Sequence, residues 1–487
     1  MRVLVRVLDV LVRVLEVGDK MNETFIDRVR NSFKKLGKMI TKAFKSKIVL
    51  AEDANIVYSD LIEFRDLGPK KFHLRLLKNG KGVLVVDAEA VLYLDHIAMV
   101  YMKKFIQGKS IKDIQEYFTK HYRTTKEKVA EDYRKLMNKL EILLTQEDID
   151  PFEDLAKERT PFQVSEFPLR VDLALTYRCN NSCGHCYVAR DSSKIDEYDI
   201  DNIKRIIDKL WEIGIPHIAL TGGEPTMRDD LLEIIDYGQS KGPVMGIITN
   251  GRKFNDKEFV QEAIRKGLDY AQITLESHNK EIHDKMVGVK GAFEETVEAI
   301  KNFEEEDIFF MTNTTLCQHN IDSIEETIKF LHELNVKTFA CNGIIYAGKG
   351  KEFEDAIPED QLSKTLMRID YLARKLGMRF IWYSPTQYCV LNPIELGLGP
   401  KRCSAANISI AIEPNGDVLP CQSYFETVGN ILEDGWDDIW HSPLFEKIRN
   451  HEFIEPKCND CELLQVCGGG CPLYIEKKNL KCNIASF

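Results

Sequence analysis

A chain of 487 residues with 44% hydrophobic side chains has enough apolar material for two or three folded domains. Its formal charge of −11 excludes the overall basic footprint of a nucleic-acid binder. No apolar run reaches the ~18 residues of a membrane span, and the start shows no signal peptide with a cleavage site. The thirteen cysteines therefore read as metal ligands in a reducing, cytoplasmic interior.

The first residues, Val3-Leu-Val-Arg-Val-Leu-Asp9, are nearly repeated by Val10-Leu-Val-Arg-Val-Leu-Glu16. The repeat leaves either Met1 or Met21 as the start of translation. Residues 21–50 carry eight Lys/Arg against two acids, with Phe25, Val29, Phe33, Leu36, Ile40 and Phe44 at helical spacing. Such a basic amphipathic helix packs its stripe on its own protein, or lies on an acidic peptide or a membrane surface. Residues 1–50 form an N-terminal extension on this reading.

Residues 51–150 predict a small second unit. Phe72-His-Leu-Arg-Leu-Leu77 and Gly82-Val-Leu-Val-Val86 flank Asn79-Gly80, a strong hairpin signal. Three helical patterns follow: Val91 to Ile106, Ile111 to Tyr122 capped by Ser110, and a stretch from Thr125 to Leu144. A hairpin with three helices is winged-helix-like. A DNA-binding version would need a basic reading helix, but Lys126, Lys128, Arg134 and Lys135 are offset by Glu127, Glu131, Asp132 and Glu141. The pattern, with Gly108-Lys-Ser110-Ile-Lys-Asp-Ile and Lys126-Glu-Lys-Val-Ala-Glu-Asp-Tyr, resembles the peptide-recognition domain of ribosomal-peptide modification systems. Its best-known relative is the peptide chaperone of pyrroloquinoline quinone biosynthesis. The resemblance implies capture of a leader peptide as an added strand on the hairpin edge; a unit that only packs on its neighbour is the alternative.

After a linker at 151–167, strands and helices alternate from 168 to 385. Strands are expected at 171–175, 218–221, 244–249, 270–275, 309–315 and 337–341, each followed by a helix. Six βα units imply an α/β class with a parallel, wound sheet. Cys179, Cys183 and Cys186 follow the first strand as Cys179-Asn-Asn-Ser-Cys183-Gly-His-Cys186. Three thiolates can hold a [4Fe-4S] cluster and leave one iron open; a zinc site would need His185 as its fourth ligand. The second strand runs into Gly222-Gly223-Glu224-Pro225, and the fourth into Gln272-Ile-Thr274-Leu-Glu276-Ser277, with Ile282-His-Asp-Lys downstream.

Together these three motifs resemble the signature of radical S-adenosylmethionine (SAM) enzymes, which makes the domain a partial (β/α)6 TIM-type barrel. The resemblance implies that the open iron binds the amino and carboxylate groups of SAM. Gly222 and Gly223 would let backbone approach that group, and Glu224 would pair with its ammonium. Thr274 and Glu276 would take the ribose-contacting places usually held by Ser and Asp. Val287-Gly288 replaces the Arg-Gly common in the family, which removes any contact made by that arginine. Thr249-Asn250-Gly251 and Asn313 stand at other strand ends that line the cofactor site in relatives.

Residues 386–487 read Cys403-x12-Gly416-x4-Cys421, then Cys458-x2-Cys461-x5-Cys467-x3-Cys471, then Cys482. This resembles the seven-cysteine pattern of SPASM domains, and Cys389 stands where an eighth thiolate belongs. Family analogy assigns Cys389, Cys403, Cys421 and Cys471 to one auxiliary cluster, and Cys458, Cys461, Cys467 and Cys482 to another; both would be [4Fe-4S]. Cys317 and Cys341, in or beside strands, read as core packing.

The expected function is a radical SAM maturase. It would cleave SAM reductively to a 5′-deoxyadenosyl radical and modify a peptide or small protein by hydrogen abstraction, giving a crosslink, an oxidation or an epimerisation. The electron would come from a reductant such as ferredoxin or flavodoxin. No residue in the sequence identifies a general acid or base. Two alternatives stand beside this: an enzyme of tetrapyrrole or tungsten/molybdenum-type cofactor synthesis, and a non-catalytic carrier of three clusters.

Overall fold

The computed structural model describes residues 57–145 and 167–478, except 66–68, 77–79, 87–89, 189–194, 307 and 455–457. The N-terminal repeat, the basic helix expected within 21–50, nearly all of the linker, and Cys482 lie outside the described residues.

The front unit opens with an antiparallel sheet of β1 (Val57–Glu63), β2 (Pro69–Leu76), β3 (Gly82–Val86) and β4 (Ala90–Leu94), in that spatial order. The expected hairpin is β2–β3, with Leu76 opposite Gly82. The two outer strands differ from the sequence reading. Ala90-Val-Leu-Tyr-Leu94 is apolar throughout, and such a short run does not separate strand from helix by periodicity. The helix begins only at α1 (His96–Ile106), where the Asp95 carboxylate accepts from Ala98 N at 2.8 Å. Next come α2 (Ile111–His121), opened by a Ser110/Asp113 capping box, and α3 (Lys126–Thr145).

The barrel sheet carries seven parallel strands: β5 (Arg170–Thr176), β6 (His217–Gly222), β7 (Val244–Thr249), β8 (Tyr270–Thr274), β9 (Phe309–Thr315), β10 (Thr338–Asn342) and β11 (Arg379–Trp382). The helices between them include α4 (Ile200–Ile213), α5 (Leu231–Lys241), α6 (Lys257–Arg265), α7 (Lys280–Val287), α8 (Ala292–Glu304), α9 (Ile324–Glu333) and α10 (Glu359–Lys375). Alternation along β5 sends Val171, Leu173 and Leu175 into the helix-covered core and puts Asp172 and Thr176 on the opposite face. Beyond β5 the sheet continues into the tail through β12 (Ser409–Ile412), parallel to β5, and β13 (Val418–Leu419), antiparallel to β12. The tail therefore shares the barrel's sheet across the boundary expected at 385.

The front sheet packs on the barrel through one face of β2. Lys71 Nζ meets the Asp269 carboxylate at 2.9 Å, His73 Nδ1 lies 3.1 Å from Gly242 O, and the Arg75 guanidinium stands 3.6 Å over the Phe167 ring. Gly242 caps the C-terminus of α5 in left-handed geometry, so the His73 ring meets a terminal carbonyl of that helix. Burial drives the His73 pKa down to about 3, and the imidazole is neutral.

That shift fixes the sign of an acid response. Below pH 6.5 the unfolded chain takes a proton that buried His73 refuses, so stability is full above 6.5 and falls toward pH 3, by roughly 1.4 kcal/mol per unit. The acid limb of a melting-temperature profile between pH 6.5 and 4 will flatten in His73→Gln, with the wild-type slope retained in His441→Gln, an exposed control.

Candidate radical SAM site

The cysteine loop leaves the C-terminal end of β5 and is tied down along its length by neighbouring strand ends. Arg178 N donates to Thr176 Oγ1 at 3.0 Å, and Tyr177 N to Glu197 Oε1 at 3.2 Å. Ser182 N reaches Val287 O at 2.9 Å, Gly184 N reaches Met286 O at 3.2 Å, and Cys186 O accepts from Gly350 N at 3.3 Å. The C-terminus of α7 thus grips the loop. At Gly288 (φ +72°) an added Cβ would come within 2.5 Å of Ser182 O, a steric reason for glycine beside Val287. From β7 come two contacts the sequence did not single out. Asn250 Nδ2 donates to Asn180 Oδ1 at 2.7 Å, and Arg252 Nη1 donates to Asn180 O at 2.6 Å.

Burial raises the pKa of all three loop thiols, that of Cys179 to about 11, and Cys179 and Cys183 also feel the charge of Cys186. Burial thus favours the protonated thiols, so binding a metal at this loop must release their protons. Among the described residues no three His, Cys, Asp or Glu side chains converge on one ion-sized point. His185, the fourth ligand a zinc reading requires, has Nε2 3.0 Å from Glu276 Oε1. A donor set of three soft sulfurs spread along one loop fits an iron–sulfur cluster with an open iron.

The Gly222-Gly223-Glu224 turn closes on this loop through backbone. Gly223 N donates to Thr176 O at 2.8 Å and Glu224 N to Arg178 O at 2.9 Å. An added Cβ at Gly222 (φ +125°) would overlap Thr176 O, and one at Gly223 would overlap Arg178 O. Glu224 is fully buried, which pushes its pKa up, and protein donors oppose that shift. Oε1 accepts from Thr249 Oγ1 (2.7 Å), Thr226 Oγ1 (2.8 Å) and Thr226 N (3.2 Å), whereas Oε2 accepts from Asn250 N (2.8 Å). A carboxylate offers about four acceptor positions, and Oε2 takes one protein donor against three on Oε1. Thr249-Asn250-Gly251 thus supports Glu224 directly.

Thr274 ends β8 opposite Asn313 of β9. Asn313 Nδ2 donates to Asn342 Oδ1 at 2.8 Å, and its Oδ1 is buried without a partner. Glu276 is enclosed: besides His185, its Oε2 accepts from Thr315 N at 2.8 Å. The downstream His283 and Asp284 serve local structure, His283 Nδ1 accepting from Glu276 N at 3.2 Å and Asp284 from Gly291 N and Phe293 N.

In the tail, burial raises the Cys403 pKa, and the charges of Cys471 and Cys421 add to it. These three are close together, as the first auxiliary set requires. Cys461 N bonds Cys458 O at 3.1 Å, and burial raises the pKa of Cys467, with the charge of Cys461 adding to it. Cys389 sits in the turn at 388–390 that follows β11. Its neighbour Tyr388 donates its N–H to Cys467 Sγ at 3.4 Å, so this segment touches the second set. Cys317 and Cys341 are both fully buried.

Residues 173–331 match the Radical SAM superfamily, and residues 403–462 match SPASM, an iron-sulfur cluster-binding domain. The Fe-coproporphyrin III synthase of Methanosarcina barkeri is 35% identical over 329 residues, 61% of this chain and 81% of its own length. The antilisterial bacteriocin subtilosin biosynthesis protein AlbA of Bacillus subtilis is 27% identical over 311 residues, 62% of this chain and 67% of its own. Among solved structures, Streptococcus suis SuiB bound to its precursor peptide SuiA has the same fold over 86% of this chain and 97% of that one, at a TM-score of 0.60 and 18% identity.

The tight approach of the glycine turn gives a direct test. Gly223→Ala will push the turn off the loop and cost the front cluster alone, lowering anaerobically reconstituted iron from about twelve to about eight atoms per chain. Iron analysis and the loss of the SAM-responsive electron paramagnetic resonance (EPR) signal will report it.

Proposed function

The chain belongs to the radical SAM superfamily and carries an iron-sulfur-binding SPASM domain, and from that premise we propose that it is a maturase of a peptide or small protein. It is an enzyme that uses SAM, a [4Fe-4S] cluster and auxiliary iron–sulfur clusters. When bound, the cluster and SAM supply one-electron cleavage to a 5′-deoxyadenosyl radical that takes hydrogen from an unactivated carbon. Cys179, Cys183 and Cys186 would hold the cluster. Gly222 and Gly223 would admit the cofactor's backbone contacts, Glu224 Oε2 would accept from its ammonium, and the Thr274 hydroxyl would face the ribose. Cys389, Cys403, Cys421 and Cys471 would hold one auxiliary cluster; Cys458, Cys461, Cys467 and Cys482 would hold the other. A ferredoxin or flavodoxin would deliver the electron.

The observation that carries the peptide reading is the front sheet. Among the described residues β1 pairs only with β2, and its outer edge is where an extended peptide would add a strand. The fold likeness to SuiB spans 86% of the chain, whereas AlbA and the Fe-coproporphyrin III synthase cover 62% and 61% of it. The 35% identical relative supports a second reading, a tetrapyrrole substrate. A polycarboxylate of that kind calls for free cations. Arg170, on the inner face of β5, is instead paired with Asp172 at 2.8 Å, Arg228 with Asp230, and Arg252 with Glu295. These three are spent on protein acids, whereas Lys349 reaches only the Ser182 hydroxyl at 3.3 Å among the described residues, so cation pairing leaves both readings open to the turnover test.

The holoenzyme, given dithionite and SAM anaerobically, will form 5′-deoxyadenosine. With peptides encoded by short reading frames beside the gene it will also give a mass change on the peptide. Turnover of an iron porphyrin, with every such peptide unchanged, would replace this reading with the second.

A further inference from the structure

Glu276 occupies the strand-end place where a ribose-contacting acid is expected, yet its carboxylate is spent on protein. Oε1 takes His185 Nε2 at 3.0 Å and Oε2 takes Thr315 N at 2.8 Å, with the side chain fully buried. Its backbone is held as well, the carbonyl accepting from Asn320 Nδ2 at 2.9 Å. His185 stands between Cys183 and Cys186, 91 residues away in sequence, with the Phe353 ring edge-on at 6.0 Å. A carboxylate on Nε2 fixes the imidazole orientation and puts a proton on that nitrogen. Nδ1 is buried without a partner, a cost that a bound group would relieve.

We propose that Glu276 is a positioning residue rather than a ribose contact: through His185 it anchors the Cys183–Cys186 arm of the loop to the ends of β8 and β9. The cluster's geometry then depends on an acid from the opposite side of the site. This arrangement is the one known for metal-ligating histidines carried one step outward, a carboxylate orienting the side chain that orients the ligands. The inference needs only the cluster-binding role of the loop, so failure of the peptide reading leaves it standing.

Chain length supplies the discriminating variant. Glu276→Asp restores the acid usual in the family but is one methylene too short to reach His185 while its other oxygen stays on Thr315 N. Holoenzyme is prepared anaerobically for Glu276→Asp, Glu276→Gln, His185→Phe and the Glu276→Asp/His185→Phe double variant. Iron content, the EPR spectrum of the reduced front cluster before SAM is added, and equilibrium SAM affinity are then read without turnover. Retention of about eight auxiliary irons certifies folding in each.

Positioning predicts that Glu276→Asp and His185→Phe alter the SAM-free spectrum in the same way and lower front-cluster occupancy at least twofold. The double variant would be no worse than either single one. A ribose contact predicts the opposite: an unchanged SAM-free spectrum, near-normal SAM affinity in Glu276→Asp, a tenfold loss in Glu276→Gln, and no effect of His185→Phe on the cluster. That pattern would overturn the proposal. A variant that loses all its iron is replaced by His185→Gln, which keeps an N–H donor toward Glu276 and under positioning retains more of the wild-type SAM-free spectrum than His185→Phe.

Discussion

Two backbone hydrogen bonds, Gly223 N to Thr176 O and Glu224 N to Arg178 O, set the spacing on which the site depends. They extend the β5–β6 pairing past the strands and bring the glycine turn against the cysteine loop at a distance no side chain tolerates. A loop carrying three thiols has no intrinsic reason to hold one shape. Clamping it to an adjacent strand end supplies that reason, since a buried amide without a partner is costly. The fold puts every such clamp on one rim: β5, β6, β7 and β8 all end there.

Two buried glutamates complete the frame, one on each side. Glu224 gathers Thr226, Thr249 and Asn250, whereas Glu276 gathers His185 and Thr315. Each carboxylate is desolvated, and each is tolerated because hydrogen-bond donors replace the lost water. Because those donors are fixed on neighbouring strand ends, both acids hold their geometry whatever is bound between them.

The cysteine loop, the glycine turn and the parallel barrel were legible in the sequence, because each rests on local spacing or on strand-helix alternation. Gly222 and Gly223 announced a close approach, and the carbonyls of Thr176 and Arg178 are what they approach. The pairing of Glu276 with His185 was hidden, because nothing local links residues so far apart, and resemblance alone gave the acid another role. β4 was hidden by its uniform apolarity, and β12 by its pairing with a strand in a different domain. Asn250 and Arg252 had a signal, the Thr249-Asn-Gly strand end, but not one that revealed whom they would hold.

The sharing of a sheet between barrel and tail reaches beyond the chemistry. Ser409–Ile412 covers β5 along its hydrogen-bonding flank, from Arg170 to Leu173. A chain cut or fused ahead of β12 would present that flank bare, as a template for adhesion to other chains. The cluster-bearing tail is in this sense also the barrel's seam, and inheriting one half without the other would leave a protein prone to precipitate before it could be tested for catalysis.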